Sequence, residues 1–266
     1  AAIKFAESAK SIAFTYRNEE LAEDLKNEMQ KINPNLSINS FFCDFSVQDS
    51  IRQCADKIKN DLKAIDLLIN NAGVVNTEYS ETIDGIENTF AVNHLGYFLF
   101  TNLLLDLVKK ESESRIINVS SAAHHFVKGM QWDDINYKDD FKMGLKAYGQ
   151  SKLGNILFTK QLAKKLQKDG VTVNAIHPGG VNTSLGNQNN SLLGRVLKII
   201  LKPFFRSPLK GANTIIYLAE IDGLSITGAY WVDGRVAKTS HYSKNEAEAE
   251  KLWRLSEKLV NQEFDV

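Results

Sequence analysis

Cysteine occurs only twice in this 266-residue chain, and no glycine precedes Gly73. The two thiols, Cys43 and Cys54, fall in different predicted elements, with neither CxxC spacing nor a neighbouring His. That argues against a metal site and leaves reduced structural thiols, the habit of intracellular proteins. No apolar run reaches the roughly 18 residues that a membrane-spanning helix needs, and no signal-peptide pattern follows Ala1. Net charge is lacking too. Thirty-two basic residues balance 32 acidic ones, which argues against a broad nucleic-acid-binding face, though not against a local basic patch. No repeat, low-complexity tract or Pro/Gly/Ser-rich linker divides the chain, so one domain over 1–266 is expected. What is present is a hydrophobic share of 43%, ample at this length for a core without covalent staples.

Strand and helix patterns alternate along the chain. SIAFTY (11–16) suits a buried strand, and NEELAEDLKNEMQKINP suits a helix. Asn18 is its expected N-cap, acids fill its first turn, Leu21, Leu25 and Met29 stand one turn apart, and Pro34 ends it. LSINSFFCDF and IDLLIN read as strands on either side of a helix in SVQDSIRQCADKIKNDL. A long helical stretch is expected from about Ile83 to Lys110, then a strand in RIINVSS, a helix bearing Tyr148 and a strand in VTVNAIHP. Ser207–Ala219 reads as helix, GAYWVDG as a final strand and NEAEAEKLWRLSEKLV as a closing helix. This order predicts an α/β domain, a doubly wound parallel sheet of the Rossmann type, with several strands buried on both faces.

In such sheets ligands bind beyond the carboxyl ends of the strands. The residues there are Tyr16-Arg17-Asn18, Cys43-Asp44-Phe45, Asn70-Asn71-Ala72-Gly73, Ser120-Ser121 and His177-Pro178-Gly179-Gly180. Small, polar and glycine-containing tips thus recur along one rim. On the following helix, AYGQSK (147–152) sets Tyr148 and Lys152 four residues apart, one turn along the same face. A half-buried Tyr beside a solvated Lys is the plain alternative. The chemical reading is that the ammonium stabilises the phenolate and lowers a tyrosine pKa that is otherwise near ~10, making Tyr148 a usable acid and base.

Tyr148-Gly-Gln-Ser-Lys152, NVSS at 118–121, NNAG at 70–73, FAVNHLGYF at 90–98 and HPGGVNT at 177–183 occur in this order. With them the chain resembles the short-chain dehydrogenase/reductase family, most of all its retinol dehydrogenase-like branch. The resemblance implies interconversion of an alcohol and a carbonyl by hydride transfer. It gives Tyr148 the acid/base role, makes Lys152 its tuner and a ribose ligand, and lets Ser121 hold the substrate oxygen while Ser120 supports the cofactor side. Asn93 would anchor a water that relays protons to Lys152. Asn71, Ala72 and Gly73 would lie beside the adenosine ribose and Asp44 against the adenine. Pro178, Gly179, Val181 and Thr183 would line the nicotinamide. Local alternatives are an ordinary turn for NNAG, helix or strand-end capping for Asp44 and Ser121, and a helix-bonded or exposed Asn93. Where an acid would favour NAD, the first strand tip carries Arg17, which suits a 2′-phosphate, so NADP is expected over NAD.

The apolar and basic segment 191–207, SLLGRVLKIILKPFFRS, covers the substrate pocket in the family. It is expected to form a lid for a small lipophilic substrate, retinoid or other. Contact with a membrane surface is the second reading and a helix packed on the core the third. A homodimer built on the two long helices is a further expectation from the family.

One departure stands out. The family's phosphate loop, TGxxxGIG, should follow the first strand, and the chain opens where that loop hands over to its helix. The resemblance therefore reads the chain as N-terminally incomplete, without the strand that lies between SIAFTY and IDLLIN in the order 3-2-1-4-5-6-7. The flanking strands would stay unpaired or pair directly, and cofactor binding would be poor. Location is left open between cytoplasm and membrane surface. The alternative function is a non-catalytic short form or binding scaffold.

Overall fold

A computed structural model describes residues 1–110, 113–179 and 208–266. A short helix α1 (Ala2–Phe5) leads to β1 (Ser11–Tyr16), α2 (Glu19–Ile32), β2 (Ser37–Phe42), α3 (Gln48–Asp61) and β3 (Leu67–Asn70). A long helix α4 (Asn88–Val108) then precedes β4 (Arg115–Val119), α5 (Leu145–Lys165) and β5 (Thr172–His177). After it come α6 (Pro208–Glu220), β6 (Tyr230–Val232), β7 (Arg235–Val236) and α7 (Glu246–Leu259). This is the expected single-domain Rossmann-type arrangement.

The sheet comes in two pieces. β1 and β2 pair in parallel from Ser11↔Ser37 to Tyr16↔Phe42. The larger piece has the order β3-β4-β5-β6-β7, parallel except for the last pair. Among the described residues no ladder joins β1 to β3, so direct pairing of these two strands is not adopted. Side chains join the pieces instead. Phe41, Cys43 and Phe45 share one core with Phe90, Leu95 and Phe98 of α4, and Phe5 of α1 packs against Ile117, Val119 and Ile176. β1 is not the buried strand expected of SIAFTY: none of its residues is fully buried, because it has a neighbour on one edge only.

Local chemistry sets the helix ends. The Asn18 side chain accepts from Leu21 N at 3.0 Å, as expected of an N-cap. The α2 face is narrower than its spacing suggested, with Met29 buried but Leu21 65% exposed. α4 begins at Asn88 rather than near Ile83, because Thr82 N bonds Ile86 O at 2.8 Å in a turn that Gly85 completes at φ +74°. The Glu87 carboxylate then accepts from Thr89 N and Phe90 N, both at 2.7 Å, and caps the helix. At the far end of the sheet, Asp233 (φ +51°) and Gly234 (φ +72°) form the two-residue turn that pairs β7 with β6.

α4 is long and apolar enough to cross a membrane by length and composition, yet 89% of its most apolar 18-residue window lies inside the fold. α5 is its partner: Leu153, Ile156, Leu157, Leu162 and Leu166, the positions its spacing singled out, are all buried. α7 closes over both helices. Trp253 meets Phe98 edge-on at 4.9 Å and stacks on Phe158 at 6.0 Å, and Ser256 Oγ lies 3.0 Å from His94 Nε2.

Candidate active site

The site grows from strand tips and one helix. β4 ends in Ser120 and Ser121, which leave the sheet in different directions. Ser120 Oγ is buried and donates to the Lys152 carbonyl at 2.7 Å, so it braces α5. Ser121 Oγ accepts from Ala123 N at 3.2 Å, capping a short turn, and lies near enough to Tyr148 to lower its pKa. The local reading of Ser121 as a cap thus holds.

Tyr148 stands in the first turn of α5, half-buried, with Lys152 one turn on. Lys152 is 3% exposed, and its ammonium donates to the Val119 carbonyl at 3.1 Å. It sits 5.6 Å from the Tyr148 ring centroid and 5.8 Å from that of Tyr97. Burial lowers its pKa to about 7. Burial raises Tyr148 from its usual value, and neighbouring Ser121 works against that rise.

Asn93 lies in a π-helical turn, Ala91–Leu95, inside α4. It is fully buried and bonds away from its own helix. Its amide clasps Val74 through Nδ2→O (2.9 Å) and N→Oδ1 (2.8 Å), and donates to Ser151 Oγ at 3.0 Å. Ser151 in turn donates to the Tyr148 carbonyl at 2.8 Å. Asn93 so fastens the NNAG loop to the helix that carries Tyr148. A π-turn often marks a functional position, and nothing in the local spacing announced it.

Gly73 is the close-approach glycine of that loop. A Cβ there would lie 3.2 Å from Asn93 Oδ1 and 3.7 Å from Lys152 Nζ. Asn71 and Ala72 precede it at the same strand tip, and below them Asn70 donates to Asn118 Oδ1 and Thr101 Oγ1, both at 2.7 Å. Pro178 and Gly179 (φ +81°) follow β5 at the same rim. Val181, Thr183 and the segment 191–207 lie outside the described residues.

The two rim residues of the smaller sheet piece face each other. Arg17 Nη1 is 3.9 Å from Asp44 Oδ1, and Arg17 remains half-exposed. Asp44 Oδ1 also accepts from Ser46 N at 2.9 Å and Ser46 Oγ at 2.7 Å, so much of its capacity serves the turn into α3.

Two site neighbours escaped the sequence reading. Tyr97 is fully buried under Lys152. His124 is fully buried with its Nδ1 2.6 Å from the Ser121 carbonyl, while its Nε2 accepts from Ser240 N at 3.2 Å. A backbone N–H can only donate, so the His124 proton is on Nδ1 and the ring is neutral. Its pKa falls to about 4, first through burial. The AHH following NVSS was the available signal for it.

A largely parallel sheet, with small and polar residues at its carboxyl rim, has the architecture of an α/β oxidoreductase. The chain belongs to the short-chain dehydrogenase/reductase family. The family model described as enoyl-(acyl carrier protein) reductase matches residues 1–234. Retinol dehydrogenase 14 of Mus musculus is 41% identical over 79% of this chain, and retinol dehydrogenase 13 of Homo sapiens 38% identical over 98%. The chain spans 64% and 80% of their respective lengths. A chloroplastic short-chain dehydrogenase, TIC 32 B of Brassica napus, is 38% identical over 92% of the chain and 79% of its own length. Among solved structures, an uncharacterized protein from Mycobacterium paratuberculosis covers all of this chain and 89% of its own, at TM-score 0.77 and 28% identity. The NADP complex of RhlG from Pseudomonas aeruginosa shares the fold, at TM-score 0.66 and 23% identity over 86% of this chain and 87% of its own.

Proposed function

We propose that this site interconverts an alcohol and a carbonyl with NADP(H), Tyr148 moving the proton at the substrate oxygen. The observation that carries the reading is Ser121 and Tyr148 brought together at the strand rim, with the buried ammonium of Lys152 5.6 Å from the Tyr148 ring centroid. In the reducing direction Ser121 and Tyr148 donate to the carbonyl oxygen, and the Tyr148 proton passes to it as the alkoxide forms. In the oxidising direction Tyr148 takes that proton back. A phenol held above its usual pKa favours the proton-donating role at neutral pH.

The residues present fit a dinucleotide at one end more fully than in the middle. Gly73, at a place a Cβ would crowd, with Asn71, Ala72 and Lys152, would hold a ribose; Pro178, Gly179, Val181 and Thr183 would hold the nicotinamide. Asp44 would meet the adenine, and the half-exposed guanidinium of Arg17 would pair with a 2′-phosphate. The cofactor, when bound, supplies or accepts the hydride. The second reading is a binding scaffold that keeps the fold without turnover.

The relatives named retinol dehydrogenase support a small lipophilic alcohol or carbonyl as substrate, with 191–207 as its cover and point of contact with membrane lipid. A homodimer built on α4 and α5 is a further part of this reading. The test is NADPH binding by nicotinamide fluorescence, followed by turnover with a series of lipophilic aldehydes. Tyr148→Phe is expected to keep binding and lose turnover by at least about a hundredfold. A folded protein that binds no NADPH and turns nothing over would establish the scaffold instead.

A further inference from the structure

Ser121 leaves β4 in extended backbone and opens the short turn Ala122–Phe126. Its hydroxyl accepts from Ala123 N at 3.2 Å, and its carbonyl accepts from His124 N at 3.2 Å. Those two bonds suffice for a serine-capped turn. The His124 ring adds a third, its Nδ1 standing 2.6 Å from the same carbonyl. That oxygen already has a backbone partner, so the ring is not needed to satisfy it. A second donor supplies direction instead: a carbonyl held from two sides cannot swing, and the side chain on the same residue is fixed with it.

The ring is itself held from its far end. Its Nε2 accepts from Ser240 N at 3.2 Å, across 116 residues of sequence. Ser240 is fixed in turn, since its carbonyl accepts from Ser243 N at 3.2 Å and from Ser243 Oγ at 2.8 Å in the turn His241–Lys244. The ring is fully buried, meets Tyr230 of β6 edge-on at 5.1 Å and lies 3.9 Å from the His125 ring. Both ring nitrogens are thus engaged, one as donor and one as acceptor. The Ser121 hydroxyl, by contrast, uses only a lone pair on Ala123 N and keeps its proton to donate.

We propose that His124 is a positioning residue for Ser121, a strut that ties it to the segment following β7. The ring donates to the Ser121 carbonyl and accepts from the Ser240 amide. The place of the Ser121 hydroxyl is therefore set from the β7 edge of the sheet as well as from β4. A hydroxyl that must meet a substrate oxygen gains from this, since a displacement of about 1 Å can cost about a hundredfold in rate. The role rests on the reading of Ser121 as the residue that holds the substrate oxygen, and His124 acts only through it.

The two bonds can be cut separately. An asparagine amide stands in for Nδ1–H and a glutamine carbonyl for Nε2, so His124→Asn keeps the Ser121 bond and His124→Gln keeps the Ser240 bond. In cofactor-free protein, long-range 1H–15N spectra of histidine-labelled chain should show His124, assigned by its loss in His124→Gln, as the Nδ1–H tautomer. Labelling serine carbonyls with 13C and alanine with 15N selects Ser121-Ala122 and Ser8-Ala9 alone. The Ser121 carbonyl signal should move in His124→Gln and hold in His124→Asn. Turnover with NADPH should follow it, kcat falling by roughly 10–100-fold in His124→Gln and by less in His124→Asn. An Nε2–H tautomer in the wild type overturns the proposal. So does a Ser121 carbonyl signal unmoved in folded His124→Gln, or a kcat loss as large in His124→Asn as in His124→Gln, which would make the ring a packing element. A wild type without turnover fails the enzymatic reading alone, because the tautomer and the carbonyl signal decide the strut without it.

Discussion

Replacing Lys152 by Met should stabilise the protein, and by an amount that depends on pH. The side chain is 3% exposed, and burial is the cause of its low pKa. The fall from 10.5 to about 7 corresponds to about 5 kcal/mol in favour of the neutral amine in the fold. Water entry and relaxation around a protonated lysine recover part of that, leaving an expected gain of about 2–4 kcal/mol for a methionine of similar length. The sign follows from proton binding. Between pH 7 and 10.5 the unfolded chain keeps the lysine proton that the folded chain has released, so wild-type stability rises with pH across that window. Below 7 both states bind the proton and the full cost is felt. Urea unfolding at pH 6, 7.5, 9 and 10.5 should therefore show Lys152→Met well above wild type at pH 6, the two converging by pH 10.5. A difference independent of pH, or a variant less stable than wild type at pH 6, would refute the reasoning. The same substitution should also abolish turnover, so stability and function oppose each other at this position.

Acid should unfold the protein through two histidines buried in neutral form. His94 is lowered to about 3 and His124 to about 4, both first by burial, so the unfolded chain alone takes up protons as pH falls below 6.5. Circular dichroism melts should lose several degrees between pH 7 and 5, and His124→Asn should flatten part of that slope. Gly144→Ala should cost about 2–3 kcal/mol or more in urea unfolding, because Gly144 has φ +68° and a Cβ there would come within 2.0 Å of Asn76 O. Arg17→Glu should move cofactor preference from NADPH toward NADH, read as the ratio of the two fluorescence titrations; an unchanged ratio would remove Arg17 from the cofactor reading.

The order of elements was legible because each carries a local signal. Asn18 caps α2, the apolar spacing of α5 marks the face that is in fact buried, and alternation of strands with helices leaves few topologies open. The Asp233-Gly234 turn was equally local and simply passed over. That Tyr148 and Lys152 lie one turn apart on α5 was legible as well, since helical spacing alone sets which side chains share a face.

Tertiary structure decided what depends on distant partners. Leu21 looks like a core residue and is exposed, and β1 looks buried and is not, because each lacks the neighbour that burial requires. The direction of the Lys152 ammonium is set by a carbonyl 33 residues away, and the pKa values of Lys152 and Tyr148 by how much water the fold removes. His94 and Ser256, separated by 162 residues, meet only because α7 folds back over α4. Spacing within a helix is a property of the chain, whereas desolvation and contact across the sequence are properties of the packed whole.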